Sequence, residues 1–195
     1  MPAVSVKMGN IFDGAADLTV LPCSAKGTYK SARIWIDTFK LPKPDEIDQN
    51  LKLGHVTEPF AFPGPQRLTK YIAYAASVLN DATTAEAIRD CGRRLGDITN
   101  SHSSISIVEA PLLGSGHGQL PAVEAAASLA IGFKESARAD ATLWIFVFDY
   151  ERYATIAKAL QDEGAVKRLI DSVQLRPGWG GISIDLKHLL KLDRN

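Results

Sequence analysis

Short apolar runs alternate with helix-spaced apolar residues along almost the whole chain, and this alternation limits the fold more than any other feature. The clearest run is Ala141 to Phe148, whose Thr-Leu-Trp-Ile-Phe-Val-Phe stretch reads as a buried strand. Val4, Val6 and Met8 recur with period 2 and predict an opening strand over residues 3–8. Leu18 to Pro22 is a short buried-strand run. His55 to Phe62 and Lys70 to Ser77 read as two strands joined at Pro63-Gly64-Pro65. Ser104 to Leu113, with Ile105, Ile107 and Val108, reads as a central strand. Helical spacing falls between these runs. Ala32, Trp35, Ile36 and Phe39 define one helix, ended at Leu41-Pro42. Residues 42–54 read as a surface loop. Thr83-x-x-Glu86 reads as a capping box for a helix running to about Leu95. Pro121 stands in the first turn of an Ala-rich helix. Tyr153, Ile156, Ala157 and Leu160 define the next helix, stopped at Gly164. Val166, Leu169, Ile170 and Val173 suggest one more, and Gly181 to Leu186 an extra strand. The expected class is a layered α/β fold with a mixed sheet.

Composition narrows the function classes. The chain has 195 residues, the length of one domain, and 46% of them are hydrophobic, enough for a sizeable core. Its 22 Lys+Arg balance its 22 Asp+Glu, which argues against disorder and against a protein that grips nucleic acid by bulk charge. Cys23 and Cys91 are the two cysteines, without a CxxC, so neither a disulfide scaffold nor a Cys-rich zinc site follows. His55, His102 and His188 lack ligand-like spacing, so no metal is expected. The first ten residues hold no apolar signal core, and no apolar run is long enough to span a membrane. A soluble cytoplasmic domain with no cofactor is expected.

Three segments could carry chemistry. In Pro111-Leu-Leu-Gly-Ser-Gly-His-Gly-Gln-Leu-Pro121, Gly114, Gly116 and Gly118 follow a buried strand and precede a helix. Glycine lets the backbone approach a ligand, and successive N–H groups can converge on an anion with the helix N-terminus behind them. An ordinary glycine-rich turn is the competing reading. No Gly-Lys-Ser/Thr follows, so this is not a Walker A loop, and the glycine spacing is not GxGxxG. Gly9-Asn10-Ile11-Phe12 follows the first strand. An Asn there carries both donors and an acceptor for a base edge, although Gly-Asn is also a common turn. Pro22-Cys-Ser-Ala-Lys-Gly-Thr28 ends the second strand, where Ser24, Lys26 and Gly27 could touch an anion.

Taken in order, these segments and the Ile145-Phe-Val-Phe-Asp149 strand end resemble a macro domain over roughly residues 4–162. The likeness is strongest at Gly114–Pro121, which is similar to the family's Gly-Thr/Ser-Gly-x-x-Gly loop. The resemblance implies a three-layer α/β/α fold with a mixed six- or seven-stranded central sheet, and a cleft for ADP-ribose. It implies that Asn10 stands where the family reads the adenine amino group, with Ile11 supplying a backbone N–H. It also implies that Gly114, Ser115, Gly116, His117, Gly118 and Gln119 wrap the diphosphate, that Phe148 stacks on adenine, and that Ser24, Lys26 and Gly27 lie near the distal ribose. Read without the family, Phe148 is equally a core residue at a strand end, and Asp149 a helix cap or a ribose contact.

Departures from the family bear on catalysis. Ser24 replaces the strand-end Asn of the hydrolases, Lys26-Gly27-Thr28 replaces their triple glycine, and Asn10 replaces Asp. One branch of the family uses a first-loop Lys; Lys26 and Lys30 are the residues to compare, and neither falls in register with it. Lys30 also reads as a solvated helix residue. His117 is the one loop side chain suited to general-base work near neutral pH. No catalytic constellation emerges. The expectation is a binding module for ADP-ribose or a related NAD-derived nucleotide. The alternatives are an ADP-ribosyl hydrolase or NAD-metabolite-processing enzyme, and a structural or partner-binding domain. Residues 163–195 extend past the resemblance; a strand and basic end there suit packing on the same domain, or contact with another copy or partner.

Overall fold

The computed structural model describes residues 1–161. Its strands are β1 (Ala3–Met8), β2 (Ala16–Ser24), β3 (Phe60–Ala61), β4 (Thr69–Val78), β5 (Ile107–Pro111) and β6 (Thr142–Val147). They form one mixed sheet in the order β1-β6-β5-β2-β4-β3, parallel throughout except for the antiparallel β3–β4 pair. The helices are α1 (Arg33–Phe39), α2 (Pro44–Ile47), α3 (Ala85–Ser101), α4 (Ala122–Ser136) and α5 (Tyr150–Gln161).

The period-2 rule places alternate strand residues in two cores. Leu18, Val20, Ala73, Ala75, Val108, Leu143 and Ile145 face α3, α4 and α5. Leu21, Cys23, Ile72, Tyr74, Ala76 and Phe146 face the layer that contains Ala32 and Ile36. Apolar residues on both sheet faces explain why these strands read as continuous apolar runs. The result is the expected three-layer α/β/α arrangement with six strands among the described residues. Parallel strands joined by helices put all the connecting loops of β2, β4, β5 and β6 that follow a strand on one side of the sheet, and this side holds the site.

Helices α3 and α4 pack through glycines. A Cβ on Gly132 would sit 1.9 Å from the Arg89 carbonyl oxygen, and one on Gly92 would sit 2.3 Å from that of Leu129. Arg89 and Arg93 both reach Glu135 across the same seam. Asp17 pins the start of β5, accepting from the Ser106 and Ile107 N–H groups at 2.9 Å and from Lys70 Nζ at 2.7 Å.

Several sequence expectations shift. The helix cap is Thr84, whose hydroxyl accepts from the Ala87 N–H at 3.1 Å, rather than Thr83, and α3 continues to Ser101. Pro121 is the N-cap of α4, one residue before its first turn. The expected strand over His55 to Phe62 contracts to a Val56–Ala75 bridge and the two-residue β3, because Pro59 between them has no N–H to give the ladder. The loop over 42–54 contains the single turn α2, whose Glu46 carboxylate accepts from the Lys43 N–H at 2.8 Å. Helix α5 begins at Tyr150, earlier than its apolar spacing indicates. The expected stop at Gly164, the helix over 166–173 and the strand over 181–186 lie outside the described residues.

Candidate functional site

A cleft of about 440 Å³ opens over the carboxyl ends of β2, β4, β5 and β6, within the ~300–1,000 Å³ range of small-molecule sites. Sheet order fixes what lies where. The β6 end contributes Phe146 to Asp149 and Arg152; the β5 loop runs across the middle; the β2 and β4 ends contribute Ser24, Lys26, Thr28, Tyr29, Lys30 and the Asn80-Asp81 pair. With neighbouring strands about 4.8 Å apart, the four strand ends span about 14 Å, which suits an extended ligand.

The β5 loop is built by glycine at two positions for different reasons. Gly114 has φ +81°, and a Cβ there would meet Ile88 at 2.8 Å. At Gly118 a Cβ would lie 2.6 Å from the Gly114 carbonyl oxygen and 2.8 Å from Thr83. Gly116 is open: nothing lies within 4 Å of a Cβ. Ser115 Oγ donates to the Leu112 carbonyl at 3.1 Å, and the Gln119 and Leu120 N–H groups close on Gly116 and Gly114 at 3.1 Å each. Gln119 holds φ +57°, a left-handed conformation at the place where the motif has its third Gly. The consecutive N–H groups of Gly116, His117 and Gly118 have no acceptor among the described residues. Helix α4 starts a few residues on and adds its positive end.

The β2 end is internally tied. Ser24 Oγ accepts from the Lys26 and Thr28 N–H groups at 3.1 Å each and pairs with Thr28 Oγ1 at 2.6 Å. The hydroxyl that replaces the expected Asn thus folds its own loop. Gly27 is buried with φ +73° against Asp45 and stays off the cleft wall. Lys26 and Lys30 are exposed on that wall and form no ion pair among the described residues. Cys23 also lines the cleft, but burial pushes its thiol up to about 12, so it is no thiolate nucleophile at neutral pH.

Phe148 is 72% exposed on the cleft, so it is a surface aromatic and not a core residue. Asp149 caps α5, its Oδ1 accepting from the Arg152 N–H at 2.9 Å, and it also lines the cleft. Asn10 and Ile11 sit one strand further out, on the loop after β1, and neither lines the cleft. The Asn10 N–H is taken by Asp13 Oδ2 at 2.8 Å, and Ile11 is buried in the second core. Gln119 also falls outside the lining, with Nε2 facing the Asp81 carbonyl at 3.4 Å. Of the candidate residues, Ser24, Lys26, Lys30, Gly114, Ser115, Gly116, His117, Gly118 and Phe148 come together around one cleft.

The sequence reading passed over the Asn80-Asp81 turn and Arg152. Asn80 and Asp81 both hold left-handed φ, +53° and +57°, and Leu79 and Ala82 exchange both backbone bonds around them. That is the geometry of a two-residue type I′ turn, which Asn and Asp tolerate, so the Asn-Asp pair after a strand was a usable signal. Arg152 carries no local signal; only the start of α5 at Tyr150 brings it to the wall. The described residues contain no group of His, Cys, Asp and Glu suited to a metal, and no described helix is long and apolar enough to cross a membrane.

No protein-family model matches the chain, and no curated protein sequence matches it. Solved structures do. An alphavirus P23pro-zbd structure aligns with 85% of this chain at 18% identity and TM-score 0.65, and the chain spans 24% of that structure's length. The macrodomain of Mycobacterium tuberculosis DarG aligns with 76% of this chain and 100% of its own, at 15% identity and TM-score 0.61. A Trypanosoma brucei macrodomain in complex with ADP-ribose aligns with 80% of this chain and 68% of its own, at 16% identity and TM-score 0.56. At these identities the likeness is one of architecture, and the architecture is plain: the chain has the macrodomain fold.

Proposed function

We propose that the cleft binds ADP-ribose or a related NAD-derived nucleotide, and that the protein is a binding module rather than a hydrolase. The observation that carries this reading is the run of three unengaged N–H groups, Gly116 to Gly118, in a loop that crosses the middle of the cleft. Such a run, backed by a helix N-terminus, is a diphosphate cradle. Phe148 offers a base an exposed aromatic face on one side of it. Lys26 and Lys30 lie on the other side, where the distal ribose would fall. The solved T. brucei macrodomain carrying ADP-ribose supports the ligand class.

Support for binding over hydrolysis comes from the distal end. Hydrolysis needs a held water and a base beside the anomeric carbon. There the Ser24 hydroxyl is committed to its own loop and the Cys23 thiol stays protonated. His117 belongs to the loop after β5, the strand beside β2, and in this reading that loop is occupied with the diphosphate. In this reading residues 1–162 form the nucleotide-binding core, residues 163–195 extend the same domain and offer a surface to another copy or partner, and the protein works in the cytoplasm on NAD-derived metabolites.

The test is calorimetric titration with ADP-ribose, cyclic ADP-ribose, NAD, AMP and ADP. Micromolar or tighter binding of an ADP-ribose-like ligand, about 8 kcal/mol of binding free energy, is the expected result. No heat and no amide shift at millimolar ligand would refute it.

A further inference from the structure

Glu109 stands in the middle of β5 with no exposed surface. Its side chain lies between Thr19 of β2 and Trp144 of β6, on the face away from α3 and α4. A strand position of this kind is ordinarily apolar, because a buried carboxylate keeps its place only when hydrogen bonds replace its lost hydration. Oε1 accepts from the Thr19 hydroxyl at 2.6 Å and from the Phe12 N–H at 2.9 Å, a partner 97 residues away in the chain. Oε2 has no hydrogen-bond partner among the described residues, and Gly14 packs so closely on it that a Cβ there would lie 2.7 Å away. Burial raises the carboxyl above the usual carboxylate range. The Thr19 and Phe12 bonds and the nearby Gly14 amide, which falls short of hydrogen-bond geometry, act against that shift, and the Asp13 carboxylate adds to it.

What this carboxylate holds is the loop after β1. Within it Gly9, Phe12 and Ala15 all take positive φ, at +137°, +74° and +50°. A chain of ordinary residues does not rest there unassisted. Glu109 secures Phe12 from below, and the Phe12 ring packs on Trp35, Phe39 and Phe62. At the top, Asp13 secures Asn10, and the Gly9 N–H donates to the Val147 carbonyl at 3.1 Å. Gly9 also lies against the Phe146 ring. Phe146 and Val147 line the β6 end of the cleft, beside Phe148.

We propose that Glu109 is a positioning residue for the nucleobase end of the cleft: through Phe12 it sets the loop that borders Phe146 to Phe148, so that affinity for the base of a nucleotide depends on it and affinity for the diphosphate does not. This rests on the nucleotide reading above and adds to it the element that governs base recognition.

The test uses the full chain with Glu109→Leu and Glu109→Gln, titrated with ADP and with inorganic pyrophosphate. The Leu variant removes the acceptor from Phe12 and Thr19; the Gln variant keeps an oxygen for them. Expected is a roughly tenfold loss of ADP affinity in the Leu variant, with pyrophosphate affinity unchanged and ADP affinity restored in the Gln variant. Amide exchange in the unliganded Leu variant should quicken at Phe12 and Asn10 while α3 stays protected. Should the Leu variant fail to fold, Glu109→Asp carries the same test: it keeps the charge but is a methylene too short to reach both partners, and the same selective loss is expected. A wild type that binds both ligands, with a variant weakened equally toward both or toward neither, overturns the positioning role and leaves the nucleotide reading standing. A wild type that binds neither ligand overturns the nucleotide reading, and this one falls with it.

Discussion

Gly116→Glu separates the phosphate-cradle reading from a purely structural glycine loop. The substitution is sterically free, since nothing lies within 4 Å of a Cβ and the residue is not in the left-handed region. The fold should therefore persist, with unchanged circular dichroism and melting temperature. A carboxylate about 4 Å from a bound phosphate costs about 4 kcal/mol at an effective dielectric of 20, and roughly half that once solvent screening at this exposed position is allowed. A loss of ~30- to 1,000-fold in ADP-ribose affinity follows. Two companion variants bracket the effect. Gly116→Ala adds a methyl to open space and should bind like the parent. Gly118→Ala places a methyl 2.6 Å from the Gly114 carbonyl oxygen, so it should distort the loop and lower the melting temperature. A Gly116→Glu protein that is folded and binds within about threefold of the parent, under 1 kcal/mol, would refute the reasoning, because the diphosphate then does not sit in this loop.

Phe148→Ala should weaken nucleotide binding by about 1–3 kcal/mol, the worth of one stacked base, with little change in the melting curve because the ring is 72% exposed; calorimetry beside a thermal scan reads both. Gly132→Ala should destabilise by about 3 kcal/mol through overpacking, since its methyl would collide with the Arg89 carbonyl of α3; a melting temperature lowered by roughly 6–12 °C checks it. Burial works to raise the Asp17 carboxyl, yet Lys70 and the Ser106 and Ile107 amides outweigh it and hold the group below its ordinary 3.8. A lowered folded value means that the stability from Asp17 is full above pH 3.8 and is lost as pH falls through the folded value. Urea melts of Asp17→Asn should accordingly show a deficit at pH 7 that closes only in acid below 3.8, and a deficit constant with pH would contradict the assignment.

The strands that could be read from the sequence are those whose burial is simple. Residues 141–148 are apolar on both sheet faces, and observed β6 falls inside that run. The elements that moved did so for reasons local spacing does not contain. Thr83 and Thr84 are chemically alike, and the choice of cap depends on Thr83 being packed against Gly114 and Gly118 of a loop thirty-odd residues on. The strand expected from His55 was shortened by a single Pro. Helix α2 is one turn, too short to show a period.

The site was legible where one segment supplies several of its groups, and illegible where it is assembled from distant ones. Gly114, Gly116 and Gly118 announced a loop that approaches something closely, but they look identical in the sequence. Only the distances divide them: two are required by the packing of the loop itself, and one faces open space. The same division runs through the polar residues. Ser24 stands at an expected contact position and spends its hydroxyl on its own loop, whereas Glu109, an unremarked charge inside an apolar strand, reaches a residue 97 positions earlier and sets the edge of the cleft. Residue type and spacing therefore nominate a position, and what its atoms already touch decides whether it remains free to act on a ligand.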